Sequence, residues 1–304
     1  MKTLYFDCFS GMSGDMVIGA LIDAGADPSY LEEELKKLQI EEEYEIEWKR
    51  VIKNGISSTK FDVRLINNSQ LHHHELDKEH DRNHHHQSHE EVEIAKAENK
   101  QSNQNGQARH DDDHHHDHHH HEQHQGHHHG HHHGHQHRAY QDIVNLIHQS
   151  ELSDQVKNTA LKIFKVIGES EGRIHGIPLE KVHFHEVGAV DSIIDIVGAS
   201  ILLHQLEISS IKCSPIPVGT GKIHIDHGIY PVPAPATLDL LKGIPIESSE
   251  IRAELTTPTG AAIAAVLAEE FCSIPSMRIT SIGYGAGTKS FPQHPNVLRV
   301  IIGE

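Results

Sequence analysis

The sequence has few of the residues that build disulfide frameworks or membrane spans. Its 304 residues include only three cysteines, Cys8, Cys213 and Cys272, which are far apart and form no CxxC pair. This excludes a disulfide framework and suits a reducing compartment. No apolar run approaches the roughly 18 residues of a spanning helix. The N-terminus becomes acidic at Asp7, too early for a signal peptide. We therefore expect a soluble, cytoplasmic protein that does not contact a membrane.

Positive charge is also scarce. The chain has 26 Lys and Arg against 44 Asp and Glu, a formal net charge of -18 with His neutral. Such a surface argues against a nucleic acid as partner, because the phosphate backbone would be repelled. The same balance fits a protein that handles cations.

Histidine, in contrast, is in excess, and 25 of the 33 histidines lie between His72 and His137. This stretch has almost no apolar residue, so burial cannot offset the entropy of ordering it, and we predict a disordered insert over residues 69–137. At cytoplasmic pH most imidazoles are neutral and can bind divalent Ni, Zn or Cu. The candidate metal ligands in its dense part are His114, His115, His116, His118, His119, His120, His127, His128, His129, His131, His132 and His133. An engineered tag and a neutral spacer are the alternatives, but tags are usually terminal and uniform, whereas this tract is internal and interrupted.

A short strand over residues 3–6 runs into a loop rich in glycine and serine, which precedes an apolar helix over 16–24. Backbone N–H groups at such a junction can bind an anion. The phosphate-binding candidates are Ser10, Gly11, Ser13 and Gly14. The flanking Asp7 and Asp15 are candidate cation ligands. A tight turn capped by Asp15 or Ser13 is the alternative.

The segment 183–195 concentrates ionisable groups between two apolar helical patterns. His183 and His185 are two apart, so an extended segment would point both imidazoles to one face. Asp191 and Asp195 are four apart on a helix predicted over 190–206 and share one face. We predict catalytic roles for His183, His185, Glu186 and Asp191, and metal ligation by His183, His185 and Asp195. Helix capping is the alternative for Asp191.

Two features near the C-terminus offer anion sites. Thr257 is a predicted cap, Pro258 is the predicted first helical residue, and the alanine-rich part of the helix is predicted over 261–270. Thr257, Thr259 and Gly260 are therefore candidates for phosphate binding or for capping alone. A predicted glycine-rich bend over 283–287 precedes Lys289, a further phosphate candidate.

The element pattern predicts an α+β or mixed α/β fold with one layered core. Alternating residues over 44–49 and 61–65 surround the turn signal Asn54-Gly55 and indicate a hairpin or two neighbouring antiparallel strands. A last strand is predicted over 297–302. We expect residues 1–68 and 138–304 to form the core, with the disordered His-rich insertion between them. Two small domains are the alternative.

Five blocks in this order resemble the nickel-insertion (LarC) family. They are residues 5–16, 183–198, 230–237, 256–260 and 283–289. The family also carries a variable His-rich insert at this place. Together the blocks span nearly the whole folded part of the chain.

The resemblance implies a cyclometallase of the lyase class. The family inserts Ni²⁺ into pyridinium-3,5-bisthiocarboxylic acid mononucleotide, forming nickel–sulfur and nickel–carbon bonds. CTP is cleaved to CMP with Mg²⁺ or Mn²⁺, and the product is the nickel-pincer cofactor of lactate racemase, whose apo-enzyme receives it. Full-length members have a further C-terminal CTP-binding domain, so the resemblance implies that this chain is an N-terminal piece with a C-terminal partner piece. We also expect a homo-oligomer.

Two other functions fit parts of the sequence. A nickel store or metallochaperone without catalysis would need only the His-rich tract. A metal-dependent hydrolase would use His183, His185, Glu186 and Asp191.

Overall fold

The structure is a computed structural model that describes residues 1–66, 138–184, 189–225 and 228–304. The described residues before and after the His-rich tract belong to one compact unit. The tract, with its predicted disorder and its candidate histidine ligands, lies outside the described residues, and so do His185 and Glu186.

The strands, in chain order, are β1 Thr3–Asp7, β2 Tyr44–Lys53, β3 Ile56–Leu65, β4 Ser210–Cys213, β5 Ile216–Pro217, β6 Lys222–Ile225, β7 Gly228–Pro231, β8 Ile246–Glu247, β9 Glu270–Phe271, β10 Ile279–Ala286 and β11 Val297–Gly303. The α-helices are α1 Gly14–Asp23, α2 Pro28–Leu35, α3 Tyr140–Gln149, α4 Asp154–His175, α5 Val190–Gln205, α6 Pro235–Leu240 and α7 Pro258–Leu267. None of the helices within the described ranges is long and apolar enough to cross a bilayer.

Seven strands form one sheet in the order β2-β3-β10-β11-β1-β4-β9. The pairs β3/β10, β1/β4 and β4/β9 are parallel, and the other neighbours are antiparallel. Strands β2 and β3 precede the His-rich tract and β4, β9, β10 and β11 follow it. Both sides of the tract therefore contribute to one sheet, and the predicted mixed α/β class is confirmed.

The β2–β3 hairpin forms where the sequence predicts it. Asn54 and Gly55 join the strands with φ values of 48° and 85°. Two successive positive φ angles match the twist of a two-residue hairpin, which explains the Asn-Gly pair. The register follows directly, with Lys53 opposite Ile56 and Trp48 opposite Phe61.

Helix α1 lies unusually close to the sheet because glycines line the contact. A Cβ added at Gly285 of β10 would lie 1.8 Å from the carbonyl oxygen of Met16, and one at Gly283 would lie 2.1 Å from that of Ala20. The predicted glycine-rich bend over 283–287 is therefore wrong for most of its length. Its glycines are strand residues that allow a helix backbone to approach.

The helices begin at residues that suit a first turn. Asp27 caps α2 by accepting a hydrogen bond from the Ser29 amide at 2.9 Å, and Ser153 caps α4. Helices α6 and α7 begin at Pro235 and Pro258, and Pro258 is the first helical residue that the sequence predicts for α7. Proline is favoured at the first helical position because its missing N–H would have no partner there.

Helix α5 is largely buried and connects several helices of the fold. Its apolar residues Ile193, Ile194, Val197 and Ile201 are buried. It packs against α1, α2 and α4. This packing fixes the start of α5 beside the start of α1, where acidic residues from both helices meet.

Candidate functional site

A cleft of about 380 Å³ opens where α1, α5 and α7 begin beside strand β3. Its lining residues are Ser13, Gly14, Asp15, Lys60, Phe61, Asp62, Val63, Asp191, Ser192, Asp195, Glu254, Thr257, Pro258, Thr259 and Thr288. Among the described residues, the lining contains five carboxylates and a single lysine. This sign of charge attracts cations and focuses the field inside the cleft.

Lys60 is the centre of an ion-pair network at one side of the cleft. Its Nζ lies 2.7 Å from Asp15 Oδ2 and 2.7 Å from Asp62 Oδ1, and donates to the carbonyl oxygen of Phe61 at 2.8 Å. Burial alone would lower the pKa of Lys60, but the charges of Asp15 and Asp62 outweigh it and the pKa is raised. The lysine therefore stays charged and ties α1 to β3.

Replacing Lys60 with Met is expected to lower the free energy of unfolding by about 2 kcal/mol at pH 7. The loss is smaller than for a fully buried ion pair, because Asp15 and Asp62 are partly exposed and water screens their charges. Since the folded-state pKa is raised, the ion pairs stabilise fully below the ordinary lysine value of about 10.4 and are lost at higher pH. Urea unfolding should show that the difference in free energy of unfolding between the variant and the wild type is smaller at pH 11 than at pH 7. Lys49→Met, which removes an exposed pair with Glu47 on the same hairpin, is the control and should change stability by under about 0.5 kcal/mol. Equal losses in both variants would contradict the role of Lys60.

Asp195 has the most perturbed environment in the cleft. Its Oδ1 is shielded from solvent and has no hydrogen-bond partner among the described residues. Burial, followed by the charges of Asp15 and Asp191, raises the pKa of Asp195 well above its usual range. Lys60 and a hydrogen bond from the backbone of Asp15 act in the opposite direction. An acceptor oxygen without a donor, at the lining of a cleft, is able to take a proton or a cation.

The start of α1 already holds a carboxylate. The backbone N–H of Asp15 donates to Asp195, and Gly14 is needed there because a Cβ would lie 2.5 Å from Asp195 Oδ2. Ser13 occupies the N-cap position, but its hydroxyl donates to Asp15 instead of capping the helix. One of the backbone N–H groups predicted to bind an anion at this junction therefore binds the carboxylate of Asp195.

The start of α7 offers a second helix terminus to the same cleft. Thr257 Oγ1 caps the helix by accepting from the Gly260 amide at 3.2 Å. Thr257, Pro258 and Thr259 line the cleft. Gly260 instead packs against the first loop, since a Cβ there would lie 2.0 Å from the carbonyl oxygen of Met12. Thr257 therefore caps the helix, as predicted, and both Thr257 and Thr259 also line the cleft.

Several predicted site residues lie outside the cleft lining. Asp7 pairs with Arg299, whose Nε lies 2.8 Å from Asp7 Oδ2. Ser10 is fully buried and bonds to His294 and Pro295. Gly11 has φ 87° and would place a Cβ 2.1 Å from the Leu255 carbonyl oxygen.

Lys289 and His183 also lie outside the lining. The Nζ of Lys289 donates to the backbone oxygen of Glu254 at 3.4 Å, so it borders the cleft through a lining residue. His183 is exposed and forms an isolated bridge with Ala139. The next residue, Phe184, is buried, and His185, the other imidazole of the predicted pair, lies outside the described residues.

The structure adds lining residues that the sequence analysis did not select, namely Lys60, Asp62, Ser192, Glu254 and Thr288. A local signal existed only for the first two. Lys60 and Asp62 are two apart on a strand around the buried Phe61, so both project to the same side of the strand.

Within the ranges that the structure describes, no group of three His, Cys, Asp or Glu side chains could hold a metal ion. The carboxylates of the cleft share a surface without forming a closed cage. Further donors for a cation must come from a ligand or from residues outside those ranges.

Comparison with known proteins identifies the family. A family model described as nickel insertion protein matches residues 4–304. A Geobacillus kaustophilus protein named pyridinium-3,5-bisthiocarboxylic acid mononucleotide nickel insertion protein is 46% identical over 305 residues, which cover 100% of this chain and 60% of the relative. Proteins with the same name from Clostridium kluyveri and Staphylococcus epidermidis are 44% and 41% identical, with 100% and 99% of this chain and 62% and 59% of the relatives covered.

The chain therefore spans about 60% of the length of the curated relatives it matches. No solved structure matches it. Since the family model extends over nearly the whole sequence, the chain belongs to the nickel insertion protein family.

Proposed function

We propose that this chain inserts Ni²⁺ into pyridinium-3,5-bisthiocarboxylic acid mononucleotide and that the acidic cleft is where the reaction takes place. The observation that supports this most is the meeting of five carboxylates with the start of α7 in one cleft. The carboxylates attract the cation. The N-terminus of α7, with Thr257 and Thr259, is suited to the phosphate of the mononucleotide.

The small number of protein ligands fits this substrate. The two thiocarboxylate sulfurs and the ring carbon would themselves bind the nickel, so few donors are needed from the chain. Soft sulfur atoms take nickel from weaker oxygen and nitrogen ligands. Asp15, Asp191 and Asp195 would deliver the ion, together with His185 and Glu186, which lie outside the described residues. The carboxylates then release it to the sulfurs.

Forming the nickel–carbon bond breaks the ring C–H bond, whose electron pair goes to nickel while the proton goes to a base. We assign this base to Asp195, because its Oδ1 has no donor among the described residues and burial raises its pKa well above the usual range of a carboxyl group. His183 is exposed and outside the lining, so we give it no direct role. His185 and Glu186 stay sequence-based candidates. Cofactor formation that survives Asp195→Asn but not His185→Ala would move the assignment to His185.

The finer features of the reaction belong to the same proposal. We propose a CTP-dependent cyclometallase of the lyase class, assisted by Mg²⁺ or Mn²⁺, that acts in the cytoplasm as a homo-oligomer. A C-terminal piece would bind CTP, and lactate racemase or a similar apo-enzyme would receive the product. These features are supported by the family resemblance and by the unmatched 40% or so of each relative.

A reconstitution experiment tests the proposal. Nickel-loaded chain is mixed with the mononucleotide, CTP and Mn²⁺, with and without the portion of the Geobacillus kaustophilus relative that this chain does not match. Activation of lactate racemase is then assayed. Activation that requires the added portion is the expected result. No activation with it, while the full-length relative is active, would contradict the proposal.

The alternative of nickel storage without catalysis is favoured by the His-rich tract alone. Deleting residues 69–137 separates the two functions. If the chain inserts nickel, the deletion should leave insertion within about twofold at saturating nickel and impair it when nickel is scarce, because only the local supply of the ion changes. Racemase activation measured across a nickel titration checks this. Loss of all activity at saturating nickel would favour the storage function.

A further inference from the structure

Strand β2 forms one end of the seven-stranded sheet, and among the described strands it pairs with β3 alone. It is 10 residues long, whereas β9 at the opposite end of the sheet has 2. A long strand at the edge of a sheet has a row of backbone N–H and C=O groups that can pair with a further strand. The function proposed above does not use this edge.

The register of the hairpin shows which backbone groups of β2 face outwards. Lys53 and Ile56 flank the two-residue turn, and at the other end the amide of Ile66 donates to the carbonyl oxygen of Glu43 at 2.9 Å. Every second residue of an antiparallel strand bonds to its neighbour, so the odd-numbered residues of β2 bond to β3. The groups that point away from the sheet belong to the even-numbered residues, which are Tyr44, Ile46, Trp48, Arg50 and Ile52. No backbone group of another described segment bonds to them.

The charges along β2 are arranged in an order that fits a second copy of the same strand. Glu45 and Glu47 come first and Lys49 and Lys53 come later, and all four side chains lie on one face of the strand. Charged residues on an edge strand usually prevent pairing with other chains. Two antiparallel copies of β2, however, place the acidic half of each strand opposite the basic half of the other, which is favourable.

One register satisfies both the hydrogen bonds and the charges. When it is centred on Trp48, Glu47 of each copy lies opposite Lys49 of the other, in the pairs whose side chains approach most closely. The next registers that allow the same hydrogen bonds place two copies of Glu47, or two copies of Lys49, opposite each other. In the register centred on Trp48, Ile52, which is 75% exposed in the single chain, lies opposite Tyr44 of the second copy.

We propose that the chain forms a two-fold dimer in which β2 pairs with β2 of a second copy in the register centred on Trp48. Within the hairpin, Glu47 and Lys49 lie opposite Asp62 and Lys60, which line the acidic cleft. The second copy would therefore extend the sheet beside this wall of the cleft. Because the two-fold axis of an antiparallel pair is perpendicular to the sheet, both clefts would lie on the same face. The proposal does not depend on nickel insertion.

Sedimentation velocity of the whole chain tests the association, with EDTA present so that metal ions cannot link the His-rich residues of two copies. One pair of strands buries less surface than a permanent dimer needs, so we expect a reversible dimer with a Kd of roughly 1–100 µM. A monomer at all concentrations up to about ten times that range would overturn the proposal. A chain that dimerises only after deletion of residues 69–137 would also overturn it, because the edge would then be unavailable in the whole chain.

Charge reversal locates the interface. Glu47→Lys and Lys49→Glu each create two like-charged pairs across the two-fold axis, so each should weaken the dimer at least about tenfold. The double variant restores opposite charges and should return the Kd to within about threefold of the wild-type value. Both side chains are partly exposed, so the fold of each copy should not change. Lys165→Glu, at an exposed lysine paired with Glu169 on α4, is the matched control and should leave the Kd unchanged.

Cross-linking tests the register. Glu47→Cys chains mixed with Lys49→Cys chains should form a disulfide between copies on mild oxidation with diamide, because the two positions face each other. Either variant alone should cross-link no more than the wild type, whose Cys8, Cys213 and Cys272 serve as the background. A dimer that survives both single charge reversals, or equal cross-linking by each variant alone, would place the interface elsewhere or in another register and overturn the proposal.

Discussion

Replacing Asp195 with Asn is expected to lower nickel insertion about 100-fold or more while the fold stays intact. The carboxylate is the proposed acceptor of the ring proton, and removal of a general base typically costs 10²–10⁴ in rate. Asn keeps an oxygen that can accept from the Asp15 backbone, and its amide group replaces the oxygen that has no described donor. The substitution therefore removes basicity with little change in shape.

The same variant should be more stable than the wild type at pH 8. The folded-state pKa of Asp195 is raised, so the native protein holds this proton to higher pH than the unfolded chain. Stability from this group is complete below about pH 4 and declines as the pH rises through the folded pKa. Asn does not titrate. The melting temperature of Asp195→Asn relative to the wild type should therefore increase from pH 4 to pH 8.

Asp191→Asn is the matched control on the same helix face. Asp191 is exposed, and its Oδ1 accepts from the Ser192 backbone N–H. We expect an activity loss under about tenfold and a smaller pH-dependent gain in melting temperature than for Asp195→Asn, because this variant removes only one of the charges that raise the pKa of Asp195. Full activity of Asp195→Asn, or a lower melting temperature at pH 8, would contradict the account of Asp195.

Replacing Gly285 with Ala is expected to lower the free energy of unfolding by about 3 kcal/mol or more, which is the largest loss of stability among the substitutions proposed for this chain. The added Cβ would lie 1.8 Å from the Met16 carbonyl oxygen and 2.6 Å from the Ala20 amide nitrogen. Both atoms belong to the backbone of α1, so no side-chain rotation relieves the overlap and the helix must move away from β10. A change of this size should lower the melting temperature by about 6–12 °C.

Gly287→Ala provides the comparison, because the three atoms nearest to its Cβ would belong to the Asn296 side chain, with Nδ2 at 2.5 Å. A side chain can shift, so we expect a loss of about 1 kcal/mol. Chemical denaturation of both variants checks the difference. Since α1 also carries Asp15, displacement of the helix should reduce nickel insertion as well. Similar losses in the two variants would contradict the close approach of α1 to the sheet.

Local sequence patterns predicted the parts of the site that one element contains. The four-residue spacing of Asp191 and Asp195 is a property of a single helix, and the structure places both at the cleft. Thr257 followed by Pro258 marks a helix start without knowledge of the fold. Such features depend on neighbours within a few residues.

The residues that the sequence did not reveal depend on long-range packing. Lys60 meets Asp15 across 45 residues, through the hairpin register and the packing of α1 on β3. The sequence predicts a bend at Gly283 and Gly285 because glycine is common in turns. Glycine also occurs in strands where another backbone approaches closely, and only the position of α1 shows that this second case applies. Asp7 was a candidate ligand until sheet pairing placed Arg299 opposite it.

The most direct test of the central claim is the mass of the mononucleotide after the reaction. The chain is incubated with the bisthiocarboxylated mononucleotide, Ni²⁺, CTP, Mn²⁺ and the remaining portion of the Geobacillus kaustophilus relative, and the small molecules are analysed by mass spectrometry. The account predicts a species that has gained one nickel atom, formed with the wild type and about 100-fold more slowly with Asp195→Asn. An unchanged mononucleotide with all nickel held by the protein would contradict it.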